Sequence, residues 1–310
     1  MCACLTSIIV LLQHGYAMGL TTGDVESAAC NLHQFLEYSY YIGKPLRALN
    51  DDFNIYCKQL KAINQLRQYE FSLYEQQVIQ NLMGHSPDPF KLQGDVFDID
   101  TFEGDPYLVS IVRFRQCDLA FFMCDDENGA RMGQWLKHEY KPDELSPGSC
   151  GNEFLEVTLG IMGYGATRKT KRKTFLATAK KCHAHVREVV KKGNPNMVNF
   201  ESLLNAEFAA LKGRKEVAKK FYEESILQAA RLGCINFQAV ANERYADYMA
   251  EIGDYNEAEY RWKLAKELFA EWGAVVKVEQ IEEKNEAIPG KKSLLPMRQN
   301  QEQHASQATC

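Results

Sequence analysis

Residues 206–233 read AEFAALKGRKEVAKKFYEESILQAARLG, and residues 246–273 read ADYMAEIGDYNEAEYRWKLAKELFAEWG. They are one unit written twice. Gly213, Ala218, Tyr222 and Gly233 return 40 residues later as Gly253, Ala258, Trp262 and Gly273, and Ala206-Glu207 returns as Ala246-Asp247. A fixed period of this length is the mark of stacked supersecondary units, none of which can bury its apolar face alone. Gly253-Asp254 reads as the turn inside the unit, because glycine enters the left-handed backbone region at little cost and aspartate caps a following helix. Ala246 and Ala258 are expected to face each other across a helix pair, with Ala265 toward the next unit and Tyr245, Met249 and Trp262 filling the space between.

The same punctuation extends upstream. Gly23, Ala28 and Gly43 keep the spacing of Gly253, Ala258 and Gly273, and Gly193 lies 40 residues before Gly233. Residues 7–43 therefore read as two helices, the first broken across Gly19 to Gly23 and the second capped by Asp24 and ended at Gly43-Lys44-Pro45. Leu46, Phe53, Tyr56, Leu60, Ile63 and Leu66 form one helical stripe, and Phe71, Tyr74, Val78, Leu82 and Met83 the next. Residues 1–83 are thus N-terminal helical repeats. Residues 84–106, opening with Gly84-His85-Ser86-Pro87-Asp88-Pro89 and rich in Asp, read as a long acidic surface loop with at most one short helix.

Helical patterning resumes in 107–286. Tyr107 to Cys124 makes one helix, Asp125 to Gly129 interrupts it, and Ala130 to Tyr140 continues. Pro142 to Gly151 reads as a second loop. Phe154 to Met162 fits helix or strand by periodicity, and its helical surroundings decide for helix. Lys171 to Lys192 follows, then the two regular units at 199–238 and 239–278. Residues 287–310, polar and Gln-rich, read as a disordered tail.

Gly253-Asp254-Tyr255-Asn256-Glu257-Ala258, with Ala246 before and Ala265 after, resembles a tetratricopeptide repeat. Gly23-Asp24-Val25-Glu26, Tyr41-x-Gly43-Lys44-Pro45-Leu46, Gly193-Asn194-Pro195-Asn196, Leu204-x-Ala206-Glu207 and Ala241-Asn242-Glu243 occur in that order. As a set they resemble the helical region of large signalling proteins that join a serine/threonine kinase-like domain, an AAA-type ATPase and a sensor-kinase output. The 40-residue period exceeds the usual 34 of the repeat family, and no kinase, ATPase or output segment is present in this chain. The resemblance implies an all-α fold, a tetratricopeptide-like right-handed solenoid of antiparallel helix pairs, and a regulatory scaffold to which no catalytic residue transfers.

Composition agrees with a soluble globular chain, at 45% hydrophobic and 25% charged residues with a net charge of -5. That charge disfavours nucleic acid, whose phosphates require clustered Lys and Arg. Ten scattered cysteines without a CxxC pair fit a reducing, cytoplasmic setting. The apolar run Leu5 to Leu12 lacks the positive start of a signal peptide, is too short to cross a membrane, and is expected in a first helix.

No catalytic, cofactor or metal motif stands out. Gly163-Tyr-Gly165-Ala-Thr-Arg168-Lys169-Thr170 approaches a phosphate loop, but Arg168 stands where that loop needs glycine, so a polar loop leading into a helix is expected. The basic run Arg168 to Lys173 reads as a solvated helix start rather than a nucleic-acid patch. Cys182-His183-Ala184-His185 places its histidines two apart, on different helix faces, whereas chelation from a helix favours four. Asp98-x-Asp100 lacks the ligand order of a calcium loop.

The first helix of each tetratricopeptide pair lines the concave groove. Carried onto this sequence, that places Glu207, Glu243, Asp247 and Glu251 there, an acidic surface suited to a basic peptide, a protein partner or a neighbouring domain. The function expected is a non-catalytic scaffold for protein–protein interaction or intramolecular regulation in signal transduction. The alternative is a fragment of a multidomain ATPase or kinase whose catalytic segments lie outside this chain.

Overall fold

A computed structural model describes residues 2–139 and 150–289. The second expected loop, 142–151, lies almost entirely outside the described residues, as does the tail from 290 onward. Among the described residues the fold is all-helical. The helices are α1 (Cys2–Thr22), α2 (Val25–Tyr41), α3 (Leu46–Ala62), α4 (Leu66–Leu82), α5 (Pro106–Phe122), α6 (Asp126–Glu139), α7 (Cys150–Thr170), α8 (Lys173–Lys191), α9 (Val198–Leu211), α10 (Lys215–Leu232), α11 (Ile235–Glu251), α12 (Tyr255–Trp272) and α13 (Val275–Glu286), with one 3-10 turn at Pro195–Met197. Consecutive helices pack as neighbours, the most extensive contacts being α11 with α12, α9 with α10, α7 with α8 and α1 with α2.

The repeated glycines do what their spacing implies. Gly23, Gly43, Gly193, Gly213, Gly233, Gly253 and Gly273 all hold positive φ at helix ends. A residue with a Cβ is strained in that region. The small residues fix the helix spacing: Ala218, Ala246, Ala258 and Ala265 are fully buried. Tyr245 stacks on Tyr222 with ring centroids 5.1 Å apart, so adjacent units share an aromatic layer.

Three boundaries differ from the sequence reading. α1 does not break at Gly19 but runs to Thr22. Gly19 is a close-packing residue, since a Cβ there would come within 2.8 Å of the Ala28 Cβ of α2. α6 starts at Asp126, inside the acidic stretch read as an interruption. Its Gly129 and Gly133 lie one turn apart and press on Met162 and Leu159 of α7. Gly163 and Gly165 sit within α7, not in a loop. They too admit close neighbours, with Ala179 Cβ 3.0 Å and Asp126 Oδ2 2.2 Å from the respective Cβ positions. The 84–106 segment contains no helix before Pro106. It is pinned to α4, with Asn81 Nδ2 donating to the carbonyls of Asp88, Pro89 and Lys91 and with Phe97 and Phe102 packed on Tyr74.

Periodicity along the chain does not reveal one feature. The last units fold back on the first. Asn236 Nδ2 at the start of α11 donates to the carbonyls of Tyr40 and Tyr41 at 3.2 and 3.4 Å. Trp272 Nε1 at the end of α12 donates to the Lys44 carbonyl at 3.1 Å. Tyr40, Phe122 and Trp272 meet at centroid distances of 5.1 to 6.1 Å. One apolar core consequently runs from Leu12 to Ile288.

Candidate functional site

Glu207 on α9 and Glu251 on α11 share Arg168, and Glu243, Asp247 and Glu251 follow one another along α11. Residues 243, 247 and 251 are each four apart and so share one helix face. They do not form an open acidic groove. Glu207 and Glu243 are completely buried, and the chain supplies their counter-charges itself. Glu207 binds Arg168 of α7 at 2.7 Å and Arg244 of α11 at 3.3 Å. Glu243 receives Lys277 and Lys284 of α13, each at 2.8 Å. Asp247 binds Lys284 at 2.8 Å and accepts the Trp262 indole N–H at 2.8 Å. Glu251 binds Arg168 Nε at 2.7 Å.

The basic residues explain why the groove closes. Arg168, read as part of a solvated helix start, is largely buried in the last turn of α7, whereas Lys169 is about half exposed there as that reading expects. Arg168 keeps 12% of its side chain exposed and bridges α9 and α11. Lys169 reaches Asp126 at 3.2 Å. Asp126, at the start of α6, binds Arg244 at 2.7 Å with both side chains 3% exposed. Arg172 remains outside, pairing with Glu127 at 3.0 Å. The result is a chain of charges, Lys169–Asp126–Arg244–Glu207–Arg168–Glu251, that ties α6, α7, α9 and α11 together.

Buried charges persist only when paired, and the pairing shows in their proton affinities. Burial raises the Glu243 carboxyl, but Lys277 and Lys284 outweigh it and hold it at about 2. Asp126 is likewise lowered, burial being outweighed by Arg244 and Lys169. Glu251, nearer the rim, is raised by burial despite Arg168. Only Asp247 and Glu251 retain appreciable access, with 26% and 36% of the side chain exposed. They line a cavity of about 340 Å³ with Lys169, Tyr255, Trp262 and Lys284.

Cys124, Glu243 and Asp247 bring three possible metal-ligating atoms within 4.8 Å. The two lysine ammonium groups already occupy the cation position there, so this cluster is a poor metal site. Burial and Glu243 push the Cys124 thiol up to about 11, which leaves it protonated. The Cys182-His183-x-His185 residues separate as their spacing implies. His183 is buried and bonded to the Tyr164 hydroxyl at 3.0 Å, while His185 turns toward Glu153.

A second cavity, of about 260 Å³, lies where α2, α7 and α9 to α11 converge. Phe154, Phe200 and Phe237 form its apolar wall, and the Asn199 side-chain oxygen, buried at its edge, has no hydrogen-bond partner. Residues that sequence reasoning missed are Asp126, Arg244, Lys277 and Lys284. A charged residue at an otherwise apolar helix position was the available signal, visible at Lys277 beside Val275, Val276 and Val278.

The chain matches no protein-family model, and comparison with curated proteins gives no significant match. No described helix is long and apolar enough to cross a membrane.

Proposed function

We propose that the chain is a non-catalytic helical-repeat scaffold, a tetratricopeptide-like right-handed solenoid that docks another protein or a neighbouring domain in signal transduction. The 40-residue period, the positive-φ glycines and the alanine-lined helix pairs support the solenoid geometry. The AAA ATPase association rests on the resemblance alone. The buried free thiols of Cys57, Cys117, Cys182 and Cys234 support an intracellular, reducing setting.

The observation that carries docking is the outer face of α1. This helix contains no Asp, Glu, Lys or Arg. Val10, Leu11, Met18 and Leu20 are 60, 67, 48 and 40% exposed. Uncovered apolar surface of this kind marks an interaction site. The partner that fits is an apolar helix face stacked on α1. A basic peptide fits less well, because the acids expected to receive it are neutralised from within and only Asp247 and Glu251 remain at the rim.

A photo-crosslinking residue at Leu11 tests this, with one at Val217 of α10 as the exposed control. The expected result is a defined crosslinked partner from position 11 that disappears when Met18→Lys is added. Equal crosslinking from both positions, or none from position 11, refutes the docking surface.

A further inference from the structure

A second cluster of charge, separate from the acidic inner face, joins α2, α4 and α5. Arg115 of α5 stands at its centre. Its guanidinium donates to Glu37 Oε1 at 2.8 Å, to Glu75 Oε1, to Asp118 Oδ2 at 3.0 Å and to the Tyr41 hydroxyl at 3.3 Å. Three carboxylates thus surround one guanidinium.

The remaining lone pairs show where a cation fits. His33 and Glu37 are one helical turn apart on α2, the spacing that lets two side chains grip one ion. Glu75 faces them from α4. Ligand atoms of the three residues lie within 4.8 Å of one another. The Glu75 side chain is 6% exposed, and its Oε2 is buried without a hydrogen-bond partner. That oxygen lies 3.9 Å from His33 Nδ1. Ser72 Oγ is 3.4 Å from Nδ1, but its own proton goes to the Gln68 carbonyl at 2.8 Å. With the Ser72 proton so engaged, Ser72 Oγ can only accept from an Nδ1–H, and a cation bound at Nδ1 would replace that proton between the imidazole and the unpartnered Glu75 Oε2.

We propose that His33 Nδ1, Glu37 and Glu75 form a three-ligand site for a divalent first-row cation of the zinc class. One imidazole and two carboxylates are a nitrogen and oxygen set of that class. Zinc bonds of about 2.0–2.2 Å put tetrahedral ligand atoms roughly 3.4 Å apart, so side-chain rotation suffices to close the site. Arg115, bound to Glu37 Oε1 and Glu75 Oε1, orients both carboxylates and leaves Glu75 Oε2 without a partner, the part that outer-shell partners play in metal sites. His33 and Glu37 keep 16% and 15% of their side chains exposed, which gives the ion an entry path and water a fourth position. The contrast with Cys124, Glu243 and Asp247 lies in the free oxygen: there Lys277 and Lys284 both reach the carboxylates, whereas here Arg115 takes Oε1 of Glu37 and Glu75 and leaves Glu75 Oε2 without a hydrogen-bond partner. Two helices supply the ligands and a third supplies Arg115, so the His33 and Glu37 pair alone does not announce the site in the sequence.

The test is a zinc titration of the metal-free full chain in competition with a chromophoric chelator. Cys2, Cys4, Cys30, Cys150 and Cys310 are replaced by Ser, so that the exposed Cys30 thiol and the cysteines at 2, 4, 150 and 310 cannot bind the metal. One equivalent of Zn²⁺ is expected to bind, at least tenfold more weakly after either His33→Asn or Glu37→Gln. Both substitutions fall at partly exposed positions, and circular dichroism checks that each variant is folded. Co²⁺ in place of Zn²⁺ is expected to give visible absorption bands that His33→Asn abolishes. Absence of stoichiometric binding, or binding that neither substitution weakens, overturns the site.

Discussion

Replacing Arg244 with methionine removes the cation that sits between Asp126 and Glu207. Arg244 is 3% exposed, its two partners 3% and 0%, and the bonds are 2.7 and 3.3 Å. Removing one member of a buried ion pair costs about 3–5 kcal/mol, because the abandoned charge stays buried. Here each carboxylate keeps one other partner, Lys169 for Asp126 at 3.2 Å and Arg168 for Glu207 at 2.7 Å. The lower end, about 3 kcal/mol, is therefore expected. The assay is urea unfolding followed by circular dichroism on wild type, Arg244→Met, Asp126→Asn and the double variant. Because Asp126→Asn removes the more closely bound stranded charge, the cycle is expected to show about 2 kcal/mol of coupling. A loss below about 1 kcal/mol for Arg244→Met, the range of a solvated surface pair, refutes the view that this face is a closed interior.

Gly133→Ala is expected to cost about 1–3 kcal/mol by overpacking, because its Cβ would lie 1.8 Å from Leu159 Cδ2; thermal unfolding checks this. Trp272→Phe removes the N–H that holds the Lys44 carbonyl and is expected to cost about 2 kcal/mol, with faster amide exchange in the turn after α2 as the specific readout. Burial, with Arg187 beside it, holds the His183 imidazole at about 4, below its ordinary value of 6.5. Its contribution is complete above the unfolded value and is lost as pH falls from 6.5 toward 4, up to about 3 kcal/mol. His183→Gln is expected to flatten the fall in urea midpoint between pH 7 and 4.5, and an unchanged slope contradicts the assignment.

The helix pairs were legible because their signals are local. Gly213, Gly253 and their relatives mark chain reversals, and Ala218 and Ala258 mark close approaches at a fixed offset. Gly19, Gly163 and Gly165 misled for a related reason. A helical glycine that admits a neighbour has the same composition signal as a glycine that ends a helix. The fate of Glu207 and Glu243 was not legible, because their partners arrive from Arg168, 39 residues away, and from Lys277, 34 residues away. A repeat pattern tells which face a residue occupies. It does not tell what the fold-back of the final units, through Asn236 and Trp272, brings against that face. The His33 cluster was hidden likewise, since α2, α4 and α5 each contribute a fragment that is ordinary by itself.

Carbodiimide labelling of carboxylates in the native protein, read by mass spectrometry, tests the closed inner face most directly. Glu207 and Glu243 are expected to stay unlabelled until the chain unfolds, while Glu251 reacts in the folded state. Labelling of Glu207 and Glu243 at the rate of Glu251 would contradict the account and restore an open acidic groove.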